Sequence, residues 1–278
     1  MPFEGATSFR PHLFRFGGKA VLFYSPSGPV QYVSGTYSAG GLSEASVPRT
    51  VDYGGWEGFY ASTGFVDEQG RRILLGWMPE GRGAEFPIQL DWTGALALPR
   101  LVNLKPNGAI SMTPIPELET LRGECLKFAD LLMTTAAWDI GAFSSSFECM
   151  MEIQKPSEGS GELSVSVLVS ACGRERTDVR LDFATGTIAI DRSRSSLFPG
   201  VHKTAVTGKL NLEDFTETIK LRIYVDRSTI EVFVDDDTCL SARVYPSLDE
   251  SKGIQLRANG VVRVIVMEIW KMNAADIR

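Results

Sequence analysis

Apolar residues recur at every second position through much of the second half of the chain. In Glu162-Leu163-Ser164-Val165-Ser166-Val167-Leu168-Val169 the odd positions are apolar and serines fill most of the gaps. A period of two predicts strands with one buried face. Val179, Leu181 and Phe183 alternate with Asp178, Arg180 and Asp182, and Ile188 and Ile190 follow a turn at Thr185-Gly186. Leu221, Ile223 and Val225 mark one strand, and Ile230, Val232 and Val234 the next, across a turn at Asp226-Arg227-Ser228. Val261 to Trp270 is apolar on both faces apart from Arg263 and Glu268. That pattern predicts a strand buried on both sides. Several strands joined by short turns predict a sandwich of packed antiparallel sheets.

The first half has a different texture. Gly-Pro loops separate short apolar runs such as Lys19 to Tyr24 and Arg71 to Trp77, and aromatics are frequent. This suits propeller blades or a barrel. Helical periodicity is almost absent. The exception is Pro114 to Arg122, which reads as a short helix with Pro116 in its first turn and Leu118 and Leu121 on one face. The junction between the halves is placed at residues 105–125. The fold class expected is all-β.

Composition narrows the chemistry. The chain has 278 residues, 44% of them hydrophobic, and a net charge of -6. An acidic chain without Lys/Arg runs excludes nucleic acid as a partner, because phosphate binding needs clustered positive charge. The cysteines Cys125, Cys149, Cys172 and Cys239 show no C-x-x-C spacing, and the histidines are His12 and His202 alone. No metal site or cofactor is expected, and such isolated cysteines read as small apolar core residues. No apolar run reaches the length of a membrane span, and no signal peptide opens the sequence. The expectation is a cytoplasmic protein with no membrane partner.

One segment carries candidate chemistry. Asp52-Tyr53-Gly54-Gly55-Trp56-Glu57-Gly58-Phe59-Tyr60-Ala61-Ser62 is an aromatic-rich loop entering a strand. A turn at Asp67-Glu68-Gln69-Gly70 then leads into Arg71-Arg72-Ile73-Leu74-Leu75-Gly76-Trp77-Met78. Aromatic faces with carboxylates suit sugar binding, since sugar C–H faces pack on rings and acids accept hydroxyl protons. The same aromatics also suit the interior of a blade, and composition alone favours that reading.

Motif order decides further. The segment resembles the signature of glycoside hydrolase family 32 (β-fructofuranosidase, invertase, levanase), in which Asp-Tyr-Gly leads to Phe-Tyr-Ala and then to a strand ending Gly-Trp. Trp92 to Leu101 is similar to the Trp…Leu-Pro-Arg segment of that family, and Pro116 to Arg122 to its interdomain linker. Leu221 to Asp235 resembles its C-terminal signature. The resemblance implies a five-bladed β-propeller followed by a β-sandwich. Residues 1–105 would be the last two blades, 106–124 a linker with a short helix, and 125–278 the sandwich. It also implies retaining hydrolysis of terminal β-fructofuranosides such as sucrose, inulin or levan. Asp52, Tyr60, Trp77, Glu80 and Trp56 are the residues it assigns to a sugar pocket. An Asp usually precedes Phe-Tyr-Ala in the family; here Gly58 stands there, with Trp56-Glu57 inserted.

The family chemistry is missing. Its nucleophile lies in an Asn-Asp-Pro motif and its stabilising Asp in Arg-Asp-Pro, and neither occurs. Its acid/base lies in Glu-Cys-Pro, shortly before a strand ending Ser-Pro. That strand is Val21 to Pro26 here, and the stretch before it reads Ser8-Phe9-Arg10-Pro11. Phe9 or Arg10 takes the acid position, according to the alignment. The pairs Glu124-Cys125 and Glu148-Cys149 are coincidental. No catalytic residue is therefore expected, and the chain alone is expected to be inactive. Its expected partners are a fructose-containing sugar and an N-terminal half polypeptide, or a second copy, completing the propeller. The alternative is a non-catalytic carbohydrate-binding or assembly module derived from the same family.

Overall fold

Period-two patterning becomes antiparallel sheet throughout. The computed structural model describes residues 9–83, 92–156 and 161–276, and among them the only helices are short 3-10 turns. The first five-stranded sheet holds β1 (Phe9–Phe16), β2 (Lys19–Ser25), β3 (Val30–Ser38), β4 (Gly41–Ser43) and β5 (Arg49–Asp52), in the order β1-β2-β3-β4 with β5 also on β3. The second holds β6 (Tyr60–Val66), β7 (Arg72–Met78), β8 (Ala95–Leu96), β9 (Arg100–Leu104) and β10 (Ile110–Pro114), in the order β10-β9-β7-β6 with β8 also on β7. The expected turn at Asp67 is present: Asp67 Oδ1 accepts from the Gln69 and Arg71 amides.

The remaining strands are β11 (Arg122–Met133), β12 (Trp138–Ala142), β13 (Ser146–Gln154), β14 (Glu162–Val169), β15 (Thr177–Asp182), β16 (Thr187–Asp191), β17 (Val206–Lys209), β18 (Thr218–Asp226), β19 (Thr229–Val234), β20 (Thr238–Arg243), β21 (Gly253–Asn259) and β22 (Val262–Met272). They form two six-stranded sheets, β11-β22-β13-β18-β19-β20 and β12-β21-β14-β15-β16-β17. One core joins them, with Ile153, Ile223 and Val232 from the first and Leu163, Leu181 and Ile190 from the second. The predicted helix after Pro114 is a 3-10 turn, Pro116–Leu121. The segment expected as linker, 106–124, therefore contains β10, this turn and the start of β11.

Two expectations need correction. The strand from Val262 is not buried on both faces, since Ile265 is 38% exposed. Its register against β13 shifts by one between Ile153↔Val264 and Glu152↔Val266. This bulge switches the core-facing positions from Val262 and Val264 to Met267 and Ile269. Apolar residues of both parities therefore serve one core. The cysteines also divide: Cys149 and Cys239 are buried as expected, whereas Cys125 and Cys172 are exposed.

The two groups of sheets are joined by a second core. Phe14, Phe23, Leu74, Met78 and Met112 from the five-stranded sheets pack with Tyr224, Phe233 and Cys239 from β18–β20. In β19 the core-facing residues are Ile230, Val232 and Val234, so Glu231 and Phe233 face the first half.

Candidate functional site

Trp56, Tyr60 and Trp77 converge. Trp56 meets Tyr60 edge-on at 4.9 Å and Trp77 at 5.7 Å between ring centroids. The Tyr60 hydroxyl donates to the Pro26 carbonyl at 2.9 Å, which fixes its ring against the β2–β3 turn. The three rings line a cleft of about 660 Å3 with Arg10, Ala61, Thr63, Leu75, Gly76 and Leu96. Gly94 allows this closure: it has φ +76°, and a Cβ there would lie 2.4 Å from Trp77 Nε1. Three of the five sequence-predicted lining residues are thus brought together.

The cleft is shaped by two matched bulges. In β1 the register slips between Phe9↔Ser25 and His12↔Phe23, and in β6 between Tyr60↔Trp77 and Thr63↔Leu75. Each bulge holds one non-glycine residue in left-handed backbone, Arg10 at φ 54° and Ala61 at φ 47°. Bulges re-aim side chains beside functional sites. The described lining contains a guanidinium, hydroxyls and rings, but no carboxylate. Such a lining can stack and hydrogen-bond a sugar. Its guanidinium stays protonated at ordinary pH and serves there as a hydrogen-bond donor.

Asp52 and Glu80 lie elsewhere, contrary to expectation. Asp52 is fully buried. Its Oδ1 accepts from the amides of Gly54 at 2.7 Å and Ser241 at 3.1 Å, and its Oδ2 from Ser241 Oγ at 2.7 Å. Arg100 Nη1 stands 2.9 Å from Asp52 Oδ2, an ion-pair distance without hydrogen-bond alignment. Arg100 Nη2 donates to Glu231 Oε2 at 2.8 Å and to Ser241 Oγ at 2.8 Å, and the guanidinium lies over the Phe59 ring at 4.1 Å. Burial works against the Arg100 charge, but Asp52 foremost, with Glu231, holds its pKa above the ordinary value. Burial raises the Glu231 carboxyl, against the opposing pull of Arg100. Asp52 is therefore a clasp between the sheet groups, its oxygens already engaged.

Glu80 forms a second clasp. It takes Arg82 Nε at 2.9 Å and Nη2 at 3.0 Å, and the Gly81 amide donates to the Tyr245 hydroxyl at 2.9 Å. Burial alone would raise the Glu80 carboxyl, but hydrogen bonds from Arg82 and Tyr245 and the charges of Arg82 and Arg243 outweigh it and hold it at about 2. Burial, with Glu80 adding to it, pushes the Tyr245 hydroxyl up to about 12.

The departure at Gly58 has a steric reason. A Cβ at Gly58 would lie 1.8 Å from the Ser241 carbonyl oxygen, and one at Gly54 2.3 Å from it. The inserted Glu57 points away from the cleft and accepts from buried Arg192 at 2.6 Å. Sequence reasoning passed over Arg100, Glu231 and Ser241. Arg100 and Glu231 lie within the quoted motifs, but nothing in their spacing shows that the two meet. Glu148 is buried and paired with Arg122 at 2.8 and 2.9 Å. Among the described residues no three potential ligands gather for a metal, and no helix is long and apolar enough to cross a membrane.

Residues 9–114 match the model for the glycosyl hydrolases family 32 N-terminal domain, and residues 117–271 that for glycosyl hydrolases family 32 C terminal. The chain belongs to glycosyl hydrolase family 32. It is 27% identical to a sucrose-6-phosphate hydrolase of Zymomonas mobilis, the match covering 96% of this chain and 54% of that protein. It is 29% identical to the levanase of Bacillus subtilis, over 84% of this chain and 36% of the levanase. With the cell-wall β-fructofuranosidase of Zea mays it shares 30% identity, over 81% and 46% of the two chains. The chain thus spans about half the length, or less, of these relatives. Its fold is similar to that of fructan 1-exohydrolase IIa from Cichorium intybus, with a TM-score of 0.83 at 21% identity, covering 97% of this chain and 62% of that one. It is also similar to sucrose-6-phosphate hydrolase from Lactobacillus gasseri, with a TM-score of 0.75 at 19% identity, over 95% and 54% of the chains.

Proposed function

We propose that this chain is the C-terminal portion of a β-fructosidase, holding part of the sugar pocket and none of the catalytic carboxylates. The two five-stranded sheets then correspond to the last two blades of a five-bladed propeller, and the two six-stranded sheets to the β-sandwich. The observation that carries the reading is the cleft itself. Trp56, Tyr60 and Trp77 form an aromatic wall, and Arg10 lines the same cleft at or beside the position of the family's acid/base. Retaining hydrolysis needs a nucleophile and an acid/base carboxyl about 5–5.5 Å apart. In this reading both come from outside this chain, and the chain's own residues orient the fructosyl unit. The relatives named above act on sucrose-6-phosphate, levan or β-fructofuranosides by their names, which supports the substrate class.

Fructose release from sucrose, inulin and levan tests this, with fructan binding measured by calorimetry. The chain alone should release no fructose, and Trp77→Ala should weaken any binding about tenfold or more, as loss of a stacking ring does. Measurable fructose release by the chain alone would contradict the reading. Tight binding of fructan without turnover, unchanged by an added upstream half, would favour the non-catalytic module instead.

A further inference from the structure

Two buried arginines from the six-stranded sheets reach the neighbours of the two wall tryptophans. Arg192 directly follows β16 and is 1% exposed. Its Nε donates to the Thr204 carbonyl at 2.8 Å and its Nη1 to the Arg243 carbonyl at 3.0 Å. It is thus fixed both by the β16–β17 connection and by the end of β20. Its Nη2 donates to Glu57 Oε2 at 2.6 Å. Arg243, equally buried, donates through Nη1 to the Met78 carbonyl at 3.1 Å. Glu57 directly follows Trp56, and Met78 directly follows Trp77.

The two tryptophans differ in what else holds them. Trp77 lies within the ladder of β7, opposite Tyr60 and Leu96. Trp56 has no ladder. It is the middle residue of the 3-10 turn Gly55–Glu57 and is 56% exposed. A ring that exposed on so short a turn gains little direction from its own packing. A buried guanidinium, for its part, is costly unless it is paired. Glu57 is the carboxylate paired with Arg192 among the described residues. His202 Nδ1 stands 3.8 Å from the same oxygen, beyond hydrogen-bond reach. Trp56 and Glu57 are also the two residues inserted relative to the family signature. The insertion therefore carries a ring and an anchor together: Trp56 enters the cleft wall, and Glu57 turns the other way onto Arg192.

We infer that Arg192 is a positioning residue for the cleft. Through Glu57 it holds the Trp56 ring edge-on to Tyr60 and Trp77, so a side chain of the six-stranded sheets completes the aromatic wall. The positioning stands on the geometry of this chain. The inference rests on the reading above only for the fructosyl unit that the wall meets.

The test uses the full chain labelled with 5-fluorotryptophan, whose five tryptophans each give a 19F signal. Trp56→Phe identifies the Trp56 signal by its loss. Glu57→Ala should move that signal toward the position of free 5-fluorotryptophan, since the ring leaves its two aromatic neighbours. Trp138 and Trp270, on β12 and β22, should keep their signals. Glu57→Gln retains an oxygen for Arg192 and should restore most of the wild-type position. Arg192→Met should act as Glu57→Ala does; if it fails to fold, the Glu57 series decides alone. An unmoved Trp56 signal in Glu57→Ala overturns the inference. Movement of all five signals together also overturns it, because Glu57 would then be a general staple. An equal displacement by His202→Ala overturns the assignment to Arg192. Inulin titration by calorimetry separates this inference from the functional reading. Glu57→Ala should weaken inulin binding to the same extent as Trp56→Ala. Weakening by Trp56→Ala alone overturns the inference. A displaced Trp56 signal in a chain that binds no inulin leaves the positioning standing and counts against the sugar cleft.

Discussion

Arg10 and Ala61 occupy equivalent places in neighbouring strands. Each is the left-handed residue of a bulge that slips one position, and each lines the same cleft. Left-handed backbone costs an L-residue with a Cβ roughly 1–2 kcal/mol. Glycine avoids that cost and adds unfolded-state entropy. Ala61→Gly should therefore be neutral or stabilising, by up to about 1 kcal/mol, where Ala→Gly in an ordinary strand destabilises. Urea unfolding of the variant beside wild type measures it. A clear loss of stability would show that the Ala61 methyl contributes packing that outweighs its strain.

Gly58→Ala should weaken the docking of the two sheet groups. The added methyl lands on the Ser241 carbonyl oxygen, a backbone atom that cannot rotate away. A cost on the order of 2–4 kcal/mol is expected in chemical denaturation. Gly18→Ala, with nothing within 4 Å of the added atom, is the matched control and should stay within about 0.5 kcal/mol of wild type.

Arg100→Met should be among the most destabilising single changes. It leaves Asp52 and Glu231 buried without their cation. Breaking a buried pair in this way costs about 3–5 kcal/mol. The triple change Asp52→Asn, Arg100→Met, Glu231→Gln should cost less than Arg100→Met alone, since no uncompensated charge remains. A triple variant as unstable as the sum of its singles would show that the side chains act independently.

Glu80 should make the chain acid-sensitive. Its folded value of about 2 lies below the ordinary 4.5. A depressed carboxyl contributes stability that is present above the unfolded value and lost as pH falls through the folded one. The window is therefore between about pH 5 and 2. The full shift corresponds to roughly 3 kcal/mol, which screening at the partly exposed Arg82 reduces to about 1 kcal/mol. Thermal unfolding of wild type and Glu80→Gln across that window should show their difference shrinking as pH falls. A constant difference would rule out this carboxylate as the source.

Much of the site was legible because its residues are close in sequence. Trp56 and Tyr60 are four positions apart, and Trp77 lies opposite Tyr60 across one hairpin, so a local motif holds all three. Asp52 and Glu80 were misplaced because a carboxylate in a sugar-binding motif reads alike whether it meets a sugar or a buried arginine. Their partners Ser241 and Tyr245 lie more than 160 positions downstream. No periodicity in a strand predicts a contact at that range. The strand from Val262 misled for a related reason, as a single bulged residue reverses which parity is buried.

By itself the sequence determined the all-β class, most strand positions in the second half, the family resemblance and the lack of its catalytic motifs. These follow from local alternation, turn residues and motif order, which hold wherever the segment lies. Tertiary structure alone decided that Asp52 and Glu80 clasp the sheet groups and that Gly58 is dictated by the Ser241 carbonyl. Those facts depend on which surfaces meet across the chain, and burial and charge pairing exist only once they do.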